Sequence, residues 1–202
     1  DFQRLFVQSM VRGLHAYGLM WDSGGPVPGV LRSFHHQEVL EKVEQLAEWA
    51  TVPRWMLGHT RYSTSGDWRV LENNQPLVTS AGVLVYNGII HQGTKAEYEA
   101  EFGVKCAVDN DGEILLRAIE KGIDPANFVT NITGSFAGMY TKGRGEGPYV
   151  LRNERRPLWF QRRPGAALIA STHDMFGRAL GDSGGCFGLP ANQVYRMEEL
   201  AA

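Results

Sequence analysis

The sequence predicts a mixed fold of the α+β class, and three observations lead there. Short apolar runs rich in β-branched residues stop at Gly or Asn-Gly, as Val83-Leu84-Val85 does before Tyr86-Asn87-Gly88. Between such runs, apolar residues recur at helical spacing over 2–12, 36–50 and 114–119. Glycine is frequent, 24 in 202 residues, which suits a loop-rich mixture of elements better than a helical bundle.

Phe2, Leu5, Phe6, Ser9 and Met10 share one helical face, so residues 2–12 read as an amphipathic helix with Gly13 at its C′ position. Leu19-Met20-Trp21 follows as a strand, and Ser23-Gly24-Gly25-Pro26-Val27-Pro28-Gly29 as a turn-rich connection. Val39, Leu40, Val43, Leu46, Ala47 and Ala50 define a second helix over 36–50, whose Glu38, Glu41, Lys42, Glu44 and Glu48 form a solvated face. Trp55-Met56-Leu57 runs as a strand into Gly58, and Val83-Leu84-Val85 as a buried strand ending in a sharp turn. Residues 95–101 are helical in composition and stop near Gly103; Val104-Lys105-Cys106-Ala107 reads as a short strand. A helix through Ile114, Leu115, Ala118 and Ile119 is entered from Asp109-Asn110-Asp111, one of which caps it. Residues 131–140 turn into a strand, Gly143 to Pro148 form a hairpin connection, and residues 149–152 return as a strand. The last strands are 155–160, 167–171 and 194–197.

The bulk numbers exclude several classes. A chain of 202 residues without repeats is one domain by its length. A formal net charge of −2 argues against non-specific nucleic-acid binding, which needs a basic surface. No apolar run approaches the ~18–20 residues of a membrane helix, and no signal-peptide pattern opens the chain. Cys106 and Cys186 have no metal-ligand spacing, so a reduced cytoplasmic setting is the default and their simplest role is that of small half-buried side chains. His35-His36 lacks further ligands for a metal, Asp109 to Gly112 lacks the oxygen spacing of a calcium loop, and no cofactor motif is present.

Chemistry concentrates between Gly58 and Gly88. The stretch holds Gly58-His59-Thr60-Arg61-Tyr62-Ser63-Thr64-Ser65-Gly66, then Asn73-Asn74-Gln75-Pro76, then Tyr86-Asn87-Gly88. Arg61 offers a planar, permanently charged fork that suits a carboxylate. Asn87 offers two N–H donors, and Gly88 lets its backbone N–H approach a ligand closely. Two donors aimed at one point make an oxyanion hole; alternatively, Asn-Gly is only a hairpin turn.

These motifs resemble the glutaminase domain of class II glutamine amidotransferases, which are N-terminal nucleophile hydrolases. Residues 60–66 and 73–76 are closest to the amidophosphoribosyltransferase type, and Asn87-Gly88-Ile89-Ile90 to the glucosamine-6-phosphate synthase type. The resemblance implies a four-layer αββα sandwich of two antiparallel sheets. It also implies L-glutamine as substrate: Arg61 clamps its α-carboxylate, Asp111 holds its α-ammonium, and Asn87 with Gly88 stabilises the oxyanion. Tyr62, Thr64 and Gln75 line or order the pocket. Arg12 matches an arginine near the family's nucleophile, or is simply a cation at a helix C-terminus. His15 stands where the family has Asp. Arg152, Arg155, Arg156, Arg162 and Arg163 form either a site for a phosphate or partner, or a solvated edge. Gly181-Asp182-Ser183-Gly184-Gly185 is similar to the surroundings of a trypsin-like serine, but without its His and Asp it reads as a loop.

In the family the nucleophile is an N-terminal cysteine whose own α-amine is the general base. Here the sequence begins Asp1-Phe2. The expectation is that the cysteine and its strand lie upstream of residue 1, the competing reading being a degenerate, non-catalytic glutamine-binding module. A general amidohydrolase acting on another amide is a third reading. With no room for a synthase domain, ammonia is expected to pass to a synthase partner or to a C-terminal region outside this sequence.

Overall fold

The computed structural model describes residues 1–48, 52–142 and 147–201. Among these, helix α1 (Phe2–Ser9) continues as a tight turn over Met10–Arg12 into strand β1 (Ala16–Trp21). Strand β2 (Gly29–Ser33), helix α2 (His36–Ala47) and strand β3 (Met56–Arg61) follow. Strands β4 (Leu77–Thr79) and β5 (Gly82–Ile89) precede helices α3 (Lys95–Phe102), α4 (Glu113–Glu120) and α5 (Pro125–Asn131). The chain then runs through β6 (Ser135–Thr141), β7 (Tyr149–Arg152), β8 (Trp159–Arg163) and β9 (Ala166–Ala170). It closes with α6 (Asp174–Leu180), β10 (Cys186–Gly188), β11 (Gln193–Arg196) and α7 (Met197–Ala201).

All strand pairs are antiparallel, in a five-stranded sheet β11-β7-β6-β5-β4 and two three-stranded sheets, β2-β1-β3 and β10-β8-β9. The uninterrupted apolar run of β5 follows from burial on both faces. Alternate side chains point opposite ways, so Leu84 and Tyr86 pack with Ile114 and Leu115 of α4, while Val83 and Val85 pack with Met20 of β1 and Leu57 of β3. On its other face β1 turns Tyr17, Leu19 and Trp21 toward Phe6 of α1 and Val39, Val43 and Leu46 of α2. The β8–β9 hairpin meets β6 and β7 through Phe160, Ala137 and Val150, and Ala170 meets Met175 and Phe176 of α6. Among the described residues no helix is long and apolar enough to cross a membrane.

Several local expectations change. Asn87-Gly88 does not turn: β5 runs on to Ile89, pairing Asn87 with Ala137 and Gly88 with Phe136. A Cβ at Gly88 would lie 1.9 Å from the Ser135 carbonyl oxygen, so this glycine is there for a close strand approach. Residues 104–107 form no strand, because side chains take their amides: Glu99 accepts from Cys106 N (2.8 Å), and Glu113 accepts from Ala107 N (2.9 Å) and Val108 N (2.8 Å). The N-cap of α4 is Gly112, not one of the three polar residues before it. Asn110 is engaged instead in accepting from Gly112 N (3.0 Å) and the Tyr86 phenol (3.0 Å). The arginine run divides: Arg152 donates to the Arg156 carbonyl (2.8 Å) and Arg155 to the Gly134 carbonyl (3.2 Å) just beyond α5, while Arg162 turns to the Leu200 carbonyl (3.3 Å) and Arg163 to Asp182 (3.6 Å). Residues 49–50 of the expected second helix and 143–146 of the expected hairpin connection lie outside the described residues.

Candidate active site

The ends of β3 and β5, the turn after α1 and the segment before α6 enclose a cavity of about 560 Å³. It is lined by Arg12, Arg61, Tyr62, Thr64, Gln75, Asn87 and Gly88, which are all the expected site residues except Asp111. His59, Thr60, Ser65, Tyr86, Asn110, Arg156, Ser171, Thr172 and the Asp174–Arg178 pair complete the polar wall, and neither cysteine is part of it. Burial raises the Cys106 thiol to about 12, which suits an inert side chain.

Arg61 is the last residue of β3, and only 4% of it is exposed. Its Nη1 donates to Asn74 Oδ1 (2.5 Å) and its Nη2 to the Ser65 carbonyl. Asn74, fully buried, is itself fixed by donating to the carbonyls of Trp68 (2.8 Å) and Val70 (3.2 Å). The role of Asn74 is not legible in the sequence, because the carbonyls it donates to, six and four residues back, come near only when the loop closes. Among the described residues no carboxylate lies within ion-pair distance of Arg61. Burial lowers its pKa, opposed by the Tyr86 and Asp111 groups nearby. The carboxylate in the cavity lining, Asp174, is paired with Arg178 rather than with Arg61, and a buried guanidinium without an ion-pair partner suits an anion.

Asp111 lies behind the wall rather than on it. It is 0% exposed, and its oxygens accept from Tyr86 Oη (2.6 Å), Ser65 Oγ (2.9 Å), Ile90 N (2.6 Å) and His91 N (3.1 Å). The carboxylate does not itself line the cavity: four donors fill its acceptor sites, and two of them are the hydroxyls of Ser65 and Tyr86, residues that do line it. Burial, then the Asp111 charge, raises the Tyr86 phenol far above its ordinary value. Gln75 orders the wall by accepting from Tyr86 N (2.6 Å). It packs so closely on β1 that a Cβ at Gly18 would meet the Gln75 carbonyl oxygen at 2.1 Å.

His59 also lines the cavity. Burial, and then the Arg61 charge, lowers its pKa to about 3, so the imidazole is neutral at physiological pH. Its Nδ1 is buried without a hydrogen-bond partner among the described residues. No group of three or more His, Cys, Asp or Glu side chains among the described residues is arranged to hold a metal ion.

A second, apolar cleft of about 580 Å³ runs between β3 and β9, each the outer strand of its sheet on that side. Met56, Leu57 and Gly58 form one wall, Ala166 to Ser171 the other, and α1 contributes Phe2 and Phe6. Gly58 and Ser171 line both spaces, so the cleft adjoins the polar cavity.

No protein-family model and no curated protein matches the sequence. Solved structures do. The glutamine phosphoribosylpyrophosphate amidotransferase from B. subtilis, solved with ADP and GMP, is 19% identical with a TM-score of 0.63, over 93% of this chain and 40% of that one. A structure described as the allosteric regulatory enzyme of purine biosynthesis is 20% identical with a TM-score of 0.65, over 92% of this chain and 41% of that one. A glutamine aminotransferase class-II domain protein from Silicibacter pomeroyi is 14% identical with a TM-score of 0.53, over 76% of this chain and 79% of that one. The resemblance to class II glutamine amidotransferases, of the amidophosphoribosyltransferase type, therefore holds at the level of the fold. The chain spans about two fifths of the first two enzymes.

Proposed function

We propose that this chain is the glutaminase part of a class II glutamine amidotransferase, its layers forming the αββα sandwich of N-terminal nucleophile hydrolases. The observation that carries the reading is Arg61, a buried guanidinium without a carboxylate partner among the described residues, in one cavity wall with Asn87 and Gly88. Arg61 receives the α-carboxylate of L-glutamine as a paired fork. Asp111 supplies negative potential for the α-ammonium across the Ser65 and Tyr86 hydroxyls, over a short path poor in water. Tyr62, Thr64 and Gln75 shape the pocket, and Arg12 adds positive charge on the side of the nucleophile.

The nucleophile is a cysteine outside this sequence. A strand laid between β3 and β9 would pair two edges that carry no partner strand among the described residues and bring its end to Gly58 and Ser171 at the cavity. Its thiolate attacks the side-chain amide carbon, with the α-amine taking the thiol proton. Asn87 and Gly88 donate to the resulting oxyanion. Collapse expels ammonia, which leaves with the proton held by the amine, and water hydrolyses the thioester to glutamate. Ammonia passes to a synthase partner or further domain.

Calorimetry with this chain tests the binding half. L-Glutamine is expected to bind, and Arg61→Ala to weaken it by roughly 30-fold or more, the usual cost of stripping a buried charge of its partner. Equal binding of simple amides without the amino-acid head group would replace this reading by a general amidohydrolase. Glutamine binding without ammonia release, in a protein carrying the N-terminal cysteine, would leave a non-catalytic binding module.

A further inference from the structure

His15 is the residue whose position the proposed function leaves unused. It lies one residue before β1, where the ladder between β1 and β3 ends at the Ala16–Arg61 pair. Beyond that pair the backbone rung continues from one side only: His15 N donates to the Arg61 carbonyl (2.9 Å). The next amide of the opposing chain, Ser63 N, finds no backbone acceptor and donates to His15 Nδ1 (3.0 Å). The imidazole is also a plate in a stack of three rings, 4.9 Å from Tyr62 and 5.3 Å from Trp68, at interplanar angles of 25° and 15°. The loop it holds closes back on the anion site: Ser63 Oγ donates to the Gly66 carbonyl (2.9 Å), Ser65 Oγ to Asp111 (2.9 Å), and the Ser65 carbonyl receives Arg61 Nη2.

We infer that His15 is a positioning residue for the substrate-gripping loop 62–66, and that it grips only as the neutral Nε2–H tautomer. This deepens the glutamine reading and rests on it. An imidazole accepts at Nδ1 only when that nitrogen is unprotonated. Proton uptake turns Nδ1 into a donor facing the Ser63 N–H, so the rung opens and the loop that orients Arg61 loosens. Among the described residues, the charged and titratable groups that bear on the stack are the Tyr62 phenol within it, Arg12, which shares a cavity lining with Tyr62, and Arg69, which sits 5.6 Å from the Trp68 ring centre and 3.6 Å from Asp67. Arg61 meets His15 through its carbonyl, its guanidinium being turned to Asn74.

NMR on the chain as it stands tests this without any substrate. As the solution is acidified, the Ser63 amide should lose hydrogen-exchange protection in step with the shift of the His15 ring resonances. His15→Asn, which keeps an acceptor that does not titrate, should hold that protection flat. L-Glutamine affinity of the unsubstituted chain should fall roughly two- to tenfold as those ring resonances shift, the worth of one hydrogen bond. A Ser63 amide that ignores His15 protonation overturns the inference, and this reading needs no variant to fold. A loop that titrates as described in a chain with no affinity for glutamine at any pH leaves the grip intact and removes the function proposed above.

Discussion

Arg61 can stay charged inside the protein because Asn74 and the Ser65 carbonyl take two of its five N–H groups and the others border the cavity. The type of residue was legible in the sequence, since a planar cationic fork beside a strand end suits a carboxylate. What aims the fork was not, because Asn74 acts through loop carbonyls that only the closed loop brings near. Asn74→Ala should therefore cost about 1–3 kcal/mol in stability by leaving buried partners unsatisfied. It should also weaken L-glutamine binding roughly tenfold. Urea unfolding and calorimetry on the same preparation separate the two, and unchanged affinity would mean that the guanidinium is aimed by something else. Asp111 is the opposite case. Its type and place in the sequence promised a ligand, yet Ile90, His91, Ser65 and Tyr86 surround it.

At the scale of the element, β5 decides the site. Local chemistry at Asn87-Gly88 favours a turn, but pairing with β6 carries the strand through both residues and sets them in the cavity wall. The glycine answers to the Ser135 carbonyl opposite rather than to a turn. Gly88→Ala should force β5 and β6 apart at that point and cost ~1–3 kcal/mol, read as a lower urea midpoint with an unchanged slope. A variant as stable as the parent would show that the two strands have room there. Glu113 shows the same override elsewhere, turning a β-prone stretch at 104–107 into a loop by accepting its amides. Helices α5 and α6 escaped the sequence reading because seven residues each carry too little apolar periodicity.

Over the whole molecule, packing the β2-β1-β3 sheet against the five-stranded sheet leaves His59 half-buried beside Arg61 with its Nδ1 enclosed, and this makes the fold acid-sensitive. The folded-state pKa of about 3 lies below the ordinary 6.5. Between these values the unfolded chain binds a proton that the folded chain refuses, so stability falls as pH drops through that window. The slope from this one group is at most about 1.4 kcal/mol per pH unit. Urea midpoints measured at pH 7, 6, 5 and 4 should decline, and His59→Gln should flatten the decline whatever its stability at pH 7. An equally steep decline in the variant would place the sensitivity in other groups. The sequence by itself determined the class of the fold, the buried character of β5, and the chemical inventory of residues 58–88, because periodicity and side-chain type are local properties. Only the tertiary structure decided that Asn87 and Gly88 belong to a strand, that Asp111 sits one hydroxyl behind the cavity, and that His15 holds the loop beside Arg61. Those facts are contacts between segments far apart in the chain, and they exist only once the sheets have packed.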